Sequence, residues 1–125
     1  MPDIIINDFS YLEQYKPQIS NPEFWQEVLT QLNKDLGGDA IKIANENMKG
    51  DAVAEIFVVA LQKYIPNITP QLSEILYRID VSESQVSALK DMPIDIYYRC
   101  LAEIVLKRTI QKVITRKMFS GKKIE

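Results

Sequence analysis

From Ile94 to Ser120 the chain has neither glycine nor proline, and its apolar residues recur at three- and four-residue steps, so this stretch must be one long helix. Pro93 opens it and Gly121 is expected to close it, leaving 119–125 as a fraying basic tail. At about 100° per residue the apolar side chains fall into two stripes rather than one. Ile94, Tyr97, Tyr98, Leu101, Ile104 and Val105 share one face, whereas Leu106, Ile110, Val113 and Ile114 share roughly the opposite face, with Met118 at its margin. A helix of this kind cannot bury both stripes against one flat layer. It must kink near Lys107, be sandwiched at its middle, or meet something outside the monomer with its second stripe.

Charge follows the same switch. Arg108, Lys112 and Arg116 recur every four residues on the face that carried the first apolar stripe, and Lys107, Lys117, Lys122 and Lys123 add to them. From Arg99 onward there are eight basic and two acidic residues, whereas Met1 to Tyr98 holds seven and fifteen, an asymmetry hidden by the overall net charge of −2. Three readings compete. The basic stripe lies on the protein's own acidic surface, with the second apolar stripe packed on the N-terminal helix; or Leu106, Ile110, Val113, Ile114 and Met118 form a two-fold dimer interface; or Arg108, Lys112, Arg116 and Lys117 contact an anionic partner such as nucleic acid.

The rest of the chain also reads as helices. Asn7 or Asp8 starts a short one, with Phe9, Leu12 and Tyr15 on its apolar side, that Pro17 stops. Asn21, Pro22 and Glu23 have the order of an N-cap, a first helical proline and a first-turn acid. Phe24, Trp25, Val28, Leu29, Leu32 and Leu36 follow at helical spacing, and Gly37-Gly38 closes the helix. Asp39 to Met48 reads as a third helix, with the Ile41-Lys42-Ile43 alternation leaving a short strand open as the alternative. Val53 to Ile65 is apolar over so wide a stripe that it must be central, and Pro66 ends it. Thr69-Pro70 opens a helix with Leu72, Ile75, Leu76 and Ile79 inward. Ser82 and Gln85 form a capping box for a short helix that buries Val86 and Leu89. With the 125 residues of one typical domain, these segments make a single all-α domain, a compact bundle of six to seven helices with a long basic C-terminal helix.

Composition removes several chemistries. Without histidine there is no Ser–His–Asp or Cys–His centre and no histidine-based zinc site. The single Cys100 forms no internal disulfide, which fits a reducing compartment, and it is expected to be a buried small hydrophobe. No phosphate-binding glycine motif occurs, so no cofactor is expected. No window approaches ~18 continuous apolar residues, and Ile4-Ile5-Ile6 is too short for a signal peptide, so the expected location is the cytoplasm, with no membrane contact. Ile4 to Ile6 reads as an arm that packs on the domain or on a second subunit. Glu103, the one acid in the apolar middle of the last helix, is expected to pair with Lys107 one turn on.

The spacing of Ile75, Ile79, Val81, Val86 and Leu89, with Ser82 as a cap, resembles a DNA-binding helix-turn-helix over 70–91. That resemblance would put Glu83, Ser84, Gln85 and Ser87 at the start of a recognition helix. Two positions depart from it: Leu76 stands where the helices cross and a small residue is usual, and Asp80 stands where the turn usually has glycine. Only Arg78 and Lys90 are basic there, against Glu74, Asp80, Glu83 and Asp91, so the segment forfeits counterion release from phosphates. The function these features favour is a non-enzymatic protein-interaction module, homodimeric through the C-terminal helix. The alternative is nucleic-acid binding through that helix or through the degenerate motif at 70–91.

Overall fold

The computed structural model describes residues 9–38, 41–42 and 52–124, with side chains as far as Met118. Among these residues the chain is all-helical, without a strand. Two 3-10 segments, Ser10–Tyr15 and Ile65–Gln71, alternate with six α-helical ones: α1 (Lys16–Ile19), α2 (Pro22–Leu36), α3 (Ala52–Tyr64), α4 (Leu72–Ile79), α5 (Glu83–Ser87) and α6 (Ile94–Ile124). Because α1 is a single four-residue turn, five helices of five residues or more stand among the described residues, which do not confirm the expected six to seven. The helix expected over 39–48 lies largely outside the described residues; Ile41 and Lys42 within it are neither helix nor strand. The Ile4–Ile6 arm lies outside them as well.

Local chemistry explains the boundaries. The Asn21 side chain accepts the Glu23 N–H at 2.9 Å, and Pro22 occupies the first helical position of α2. At the other end Gly37 adopts φ 99°, and Gly38 N–H donates to Asn33 O at 2.9 Å, closing the last turn. The Asn33 side chain then clasps the chain beyond: its Nδ2 donates to Ile41 O at 2.9 Å and its Oδ1 accepts from Ile41 N–H at 2.7 Å. Two prolines, Pro17 and Pro70, act differently from expectation, whereas α3 ends at Tyr64, just before Pro66, as expected. Pro17 sits in the first turn of α1 and so starts that turn instead of ending a helix, because its missing N–H is harmless there. Pro66 stands in the first turn of the Ile65–Gln71 segment that follows α3, and Pro70 lies inside it, delaying α4 to Leu72. Gly121 does not stop α6, which continues to Ile124.

Helix α6 is the axis of the molecule and packs on α2, α3, α4 and the Ile65–Gln71 segment. Its middle is sandwiched: Cys100, Leu101, Ala102, Val105, Leu106, Thr109, Ile110 and Val113 are all at most 2% exposed. The second stripe is therefore covered from within as far as Ile114, and the first is covered at Leu101 and Val105, while Tyr97, Tyr98 and Ile104 are half-buried and Ile94 is exposed. The deepest layer joins Trp25, Phe24, Phe57, Leu61 and Leu101, all 2% exposed or less. Trp25 meets Phe24 edge-on at 5.5 Å and Phe57 at a tilt, also at 5.5 Å. Its indole Nε1–H donates to Ile19 O at 2.9 Å, so the ring is buried without an orphaned donor and ties α1 to α2.

The covered second stripe makes a stability prediction. Ile110, fully buried, should cost about 2–5 kcal/mol as Ile110→Ala. Met118, 64% exposed, should cost no more than ~0.5 kcal/mol as Met118→Ala. Urea unfolding of the two variants measures both.

Candidate protein-interaction site

The expected dimer interface on α6 requires correction. Leu106, Ile110 and Val113 are 0% exposed and Ile114 is 7% exposed within a single chain, and only Met118 is open to solvent. The stripe finds its cover in the monomer because α2 and α3 flank α6 together, so these four residues offer no surface to a second molecule.

The expected anion-contacting residues are engaged in the same way. Lys112 Nζ lies 2.9 Å from Asp35 Oδ2, and Asp35 is itself only 4% exposed. Gln31 Nε2 also donates to that carboxylate, at 3.1 Å, while Gln31 Oε1 accepts from Arg116 Nη1 at 2.6 Å. Lys117 Nζ reaches Glu27 Oε2 at 3.1 Å. Glu27, Gln31 and Asp35 are spaced by four along α2, and they meet Lys117, Arg116 and Lys112 in reverse order, as antiparallel helices require. Arg108 turns to the α4–α5 corner, with Nη2 at 2.7 Å from Asp80 Oδ2 and Nε at 3.3 Å from Asp80 O. The basic stripe thus rests on the protein's own acidic surface.

Two further expectations need adjustment. Glu103 pairs with Arg99 Nε at 2.8 Å, one turn back, instead of with Lys107. The same guanidinium grips Glu55 on α3 through Nη1 and Nη2 at 2.8 and 2.6 Å, a two-point hold that fixes it there. Lys107 instead sits 5.1 Å from the centre of the Tyr11 ring, a cation–π contact. Cys100 is a free buried thiol, as expected. Burial pushes its pKa up, Glu103 adds to the rise and Arg99 opposes it, the reverse of what an activated thiolate needs.

The corner resembling a helix-turn-helix has the expected cap. Ser82 Oγ accepts from Gln85 N–H at 3.3 Å, and Gln85 Oε1 accepts from Ser82 N–H at 3.2 Å. Asp80 has φ 75°, so the backbone adopts the left-handed shape that glycine favours although the residue is different. Yet α5 has only five residues, Gln85 is folded back onto its own cap, and Val86 is only half-buried where full burial was expected. No basic surface accompanies it: Arg78 Nη1 donates to Asp35 O at 2.6 Å, closing the end of α2.

What the corner does build is a groove of about 350 Å³ between α4, α5 and the start of α6. Buried Leu76 and Val81 with half-buried Val86 form its apolar part, Tyr77 and Tyr97 its aromatic part, and Ser73, Glu83, Ser87 and Lys90 its polar edge. Tyr77 is 86% exposed. Ile94, 60% exposed, lies one turn before Tyr97 on the same flank of α6, and Tyr97 is braced edge-on against Tyr98 at 5.4 Å. Sequence reasoning assigned Leu76, Val86, Ile94 and Tyr97 to the core and missed the groove. The available signal was α5 itself: a helix too short to roof its neighbours. A second hollow, bounded by Gln26, Glu27, Thr30, Gln31, Lys34 and Arg116, is polar and includes the Gln31–Arg116 bond.

Among the described residues no cluster of acidic, cysteine or histidine side chains could hold a metal ion, and no helix is long and apolar enough to cross a membrane. Comparison with family models, with curated proteins and with solved structures found no match.

The corner's electrostatics are testable. Hydrogen bonding from Arg108 and its charge, with a smaller contribution from Lys112, hold the Asp80 carboxyl below the ordinary aspartate range. A depressed folded-state pKa stabilises the protein above the unfolded value of about 3.9, and that contribution is lost as pH falls through the lower folded value. In an NMR titration the Asp80 carboxyl should therefore move up toward the ordinary range in Arg108→Ala. An unchanged titration would show that the pair does not act in solution.

Proposed function

We propose that the chain is a non-enzymatic protein-interaction module, and that it receives an apolar helical segment of a protein in the groove between α4, α5 and the start of α6. One observation carries the reading: Tyr77, 86% exposed, lines an apolar hollow, and Ile94, one turn before the lining residue Tyr97, is 60% exposed, while the second stripe of α6 is buried from Leu106 to Ile114. Tyrosines with little rotameric freedom around a concave apolar patch are what anchor protein contacts. Side chains projecting from one helix face at three- and four-residue spacing are the natural occupants of such a groove. A contact through the C-terminal helix remains part of the proposal, moved from its buried second half to Ile94 and Tyr97 at its beginning. The free thiol of Cys100 suits a reducing compartment such as the cytoplasm.

The nucleic-acid alternative has less support. Arg108, Lys112, Arg116 and Lys117 each already meet an acid or amide of the same chain, so phosphate contact would first have to break those bonds.

Selection of helical peptides from a randomised library against the wild-type chain tests the module. Selected peptides should compete with one another and lose about tenfold or more in affinity for Tyr77→Ala and Val86→Glu, the size of an anchor-residue effect. Tyr77 is exposed, so Tyr77→Ala should melt as the wild type does, whereas Val86 packs partly on the core and Val86→Glu is compared at a temperature below its own melt. Selected peptides that bind both variants as tightly as wild type would exclude the groove.

A further inference from the structure

Resting on the module reading above, we infer that the groove's occupant is a second copy of this chain, docked about a two-fold axis so that Glu83 faces Lys90 of the partner subunit and Lys90 faces the partner's Glu83. In an isologous interface the same patch must serve as both donor and receiver of every contact. This face meets that requirement in shape: a hollow of about 350 Å³ is lined by Tyr77, 86% exposed, and by Tyr97, with Ile94, 60% exposed, one helical turn before Tyr97.

It also meets the requirement in charge. Glu83 and Lys90 both line the groove, and among the described residues neither side chain has an ion pair or hydrogen bond. On α6, by contrast, Arg99, Arg108, Lys112 and Lys117 are all matched with carboxylates. One unmatched acid and one unmatched base on a single apolar face are self-complementary about a two-fold axis that passes between them, because the rotation then brings each opposite the other type. A partner of uniformly basic or uniformly acidic character would gain one attraction and suffer one repulsion at the same rim.

Sedimentation equilibrium between ~5 and ~500 μM, a range that spans the weak end of specific association, tests this on the full chain. The wild type should shift from monomer to dimer with rising concentration. Glu83→Lys and Lys90→Glu each place like charges across the axis and should weaken dimerisation about tenfold, whereas the double exchange should restore it to within about threefold. Tyr77→Ala should weaken it without changing the thermal melt. A wild type monomeric throughout would overturn the second-copy inference while leaving the module reading intact if selected peptides still require Tyr77 and Val86. A dimer indifferent to Tyr77→Ala, or a double exchange no better than the single ones, would overturn it as well by placing the contact elsewhere. Loss of peptide binding to the groove together with a monomeric wild type would remove both.

Discussion

A helix that is apolar on opposite sides at successive turns can exist in a monomer only if other elements stand on both sides of it, and that requirement organises this structure. Helix α6 supplies the axis, α3 covers it along one flank and α2 along another, and α4 with the Ile65–Gln71 segment completes the enclosure. The result is a stretch from Cys100 to Val113 in which nearly every apolar side chain is lost to solvent. Hydrophobic burial of that extent, at roughly 1.5–3 kcal/mol for each large side chain, outweighs every polar contact in the molecule.

Polar contacts set the register in which that burial occurs. Along α2 the series Glu27, Gln31 and Asp35 meets the series Lys117, Arg116 and Lys112 on α6, and sliding either helix by one turn would mismatch the set. The Asp35–Lys112 pair at its inner end is largely shielded, so parting it would be costly, whereas the exposed Glu27–Lys117 pair contributes little energy and mainly orients. Arg99 does the equivalent for α3 through Glu55, and Arg108 for the α4–α5 corner through Asp80. These five cations supply most of the C-terminal helix's positive charge. Their counterparts are in the acidic first part of the chain, so the asymmetry in the sequence is the imprint of an intramolecular match.

Much of this architecture was legible because it is written in local chemistry. The Asn21-Pro22-Glu23 start, the Gly37-Gly38 stop and the Ser82–Gln85 box each act within a few residues, and each is where the sequence indicates. Prolines were less readable, since Pro17 and Pro66 can end one element or open the next, and only the surrounding packing decides. The two stripes of α6 were read correctly as a geometric problem, and the sandwich was one of its stated solutions. Choosing it required knowing that α2 runs antiparallel alongside, which no single stretch reveals. The groove was hidden for a related reason: Val86, Ile94 and Tyr97 have core-like spacing, yet beside the short α5 they stay partly or largely exposed while Leu76 beneath them is buried as expected.

If the apolar second half of α6 is covered inside one chain, its backbone is protected in the monomer itself. Amide hydrogen exchange across 105–114, followed at protein concentrations differing by about a hundredfold, measures this directly. The structure predicts strong protection that does not change with concentration. Protection that weakens on dilution would mean that a second molecule provides the cover, and would contradict the sandwich from which the rest of the account is built.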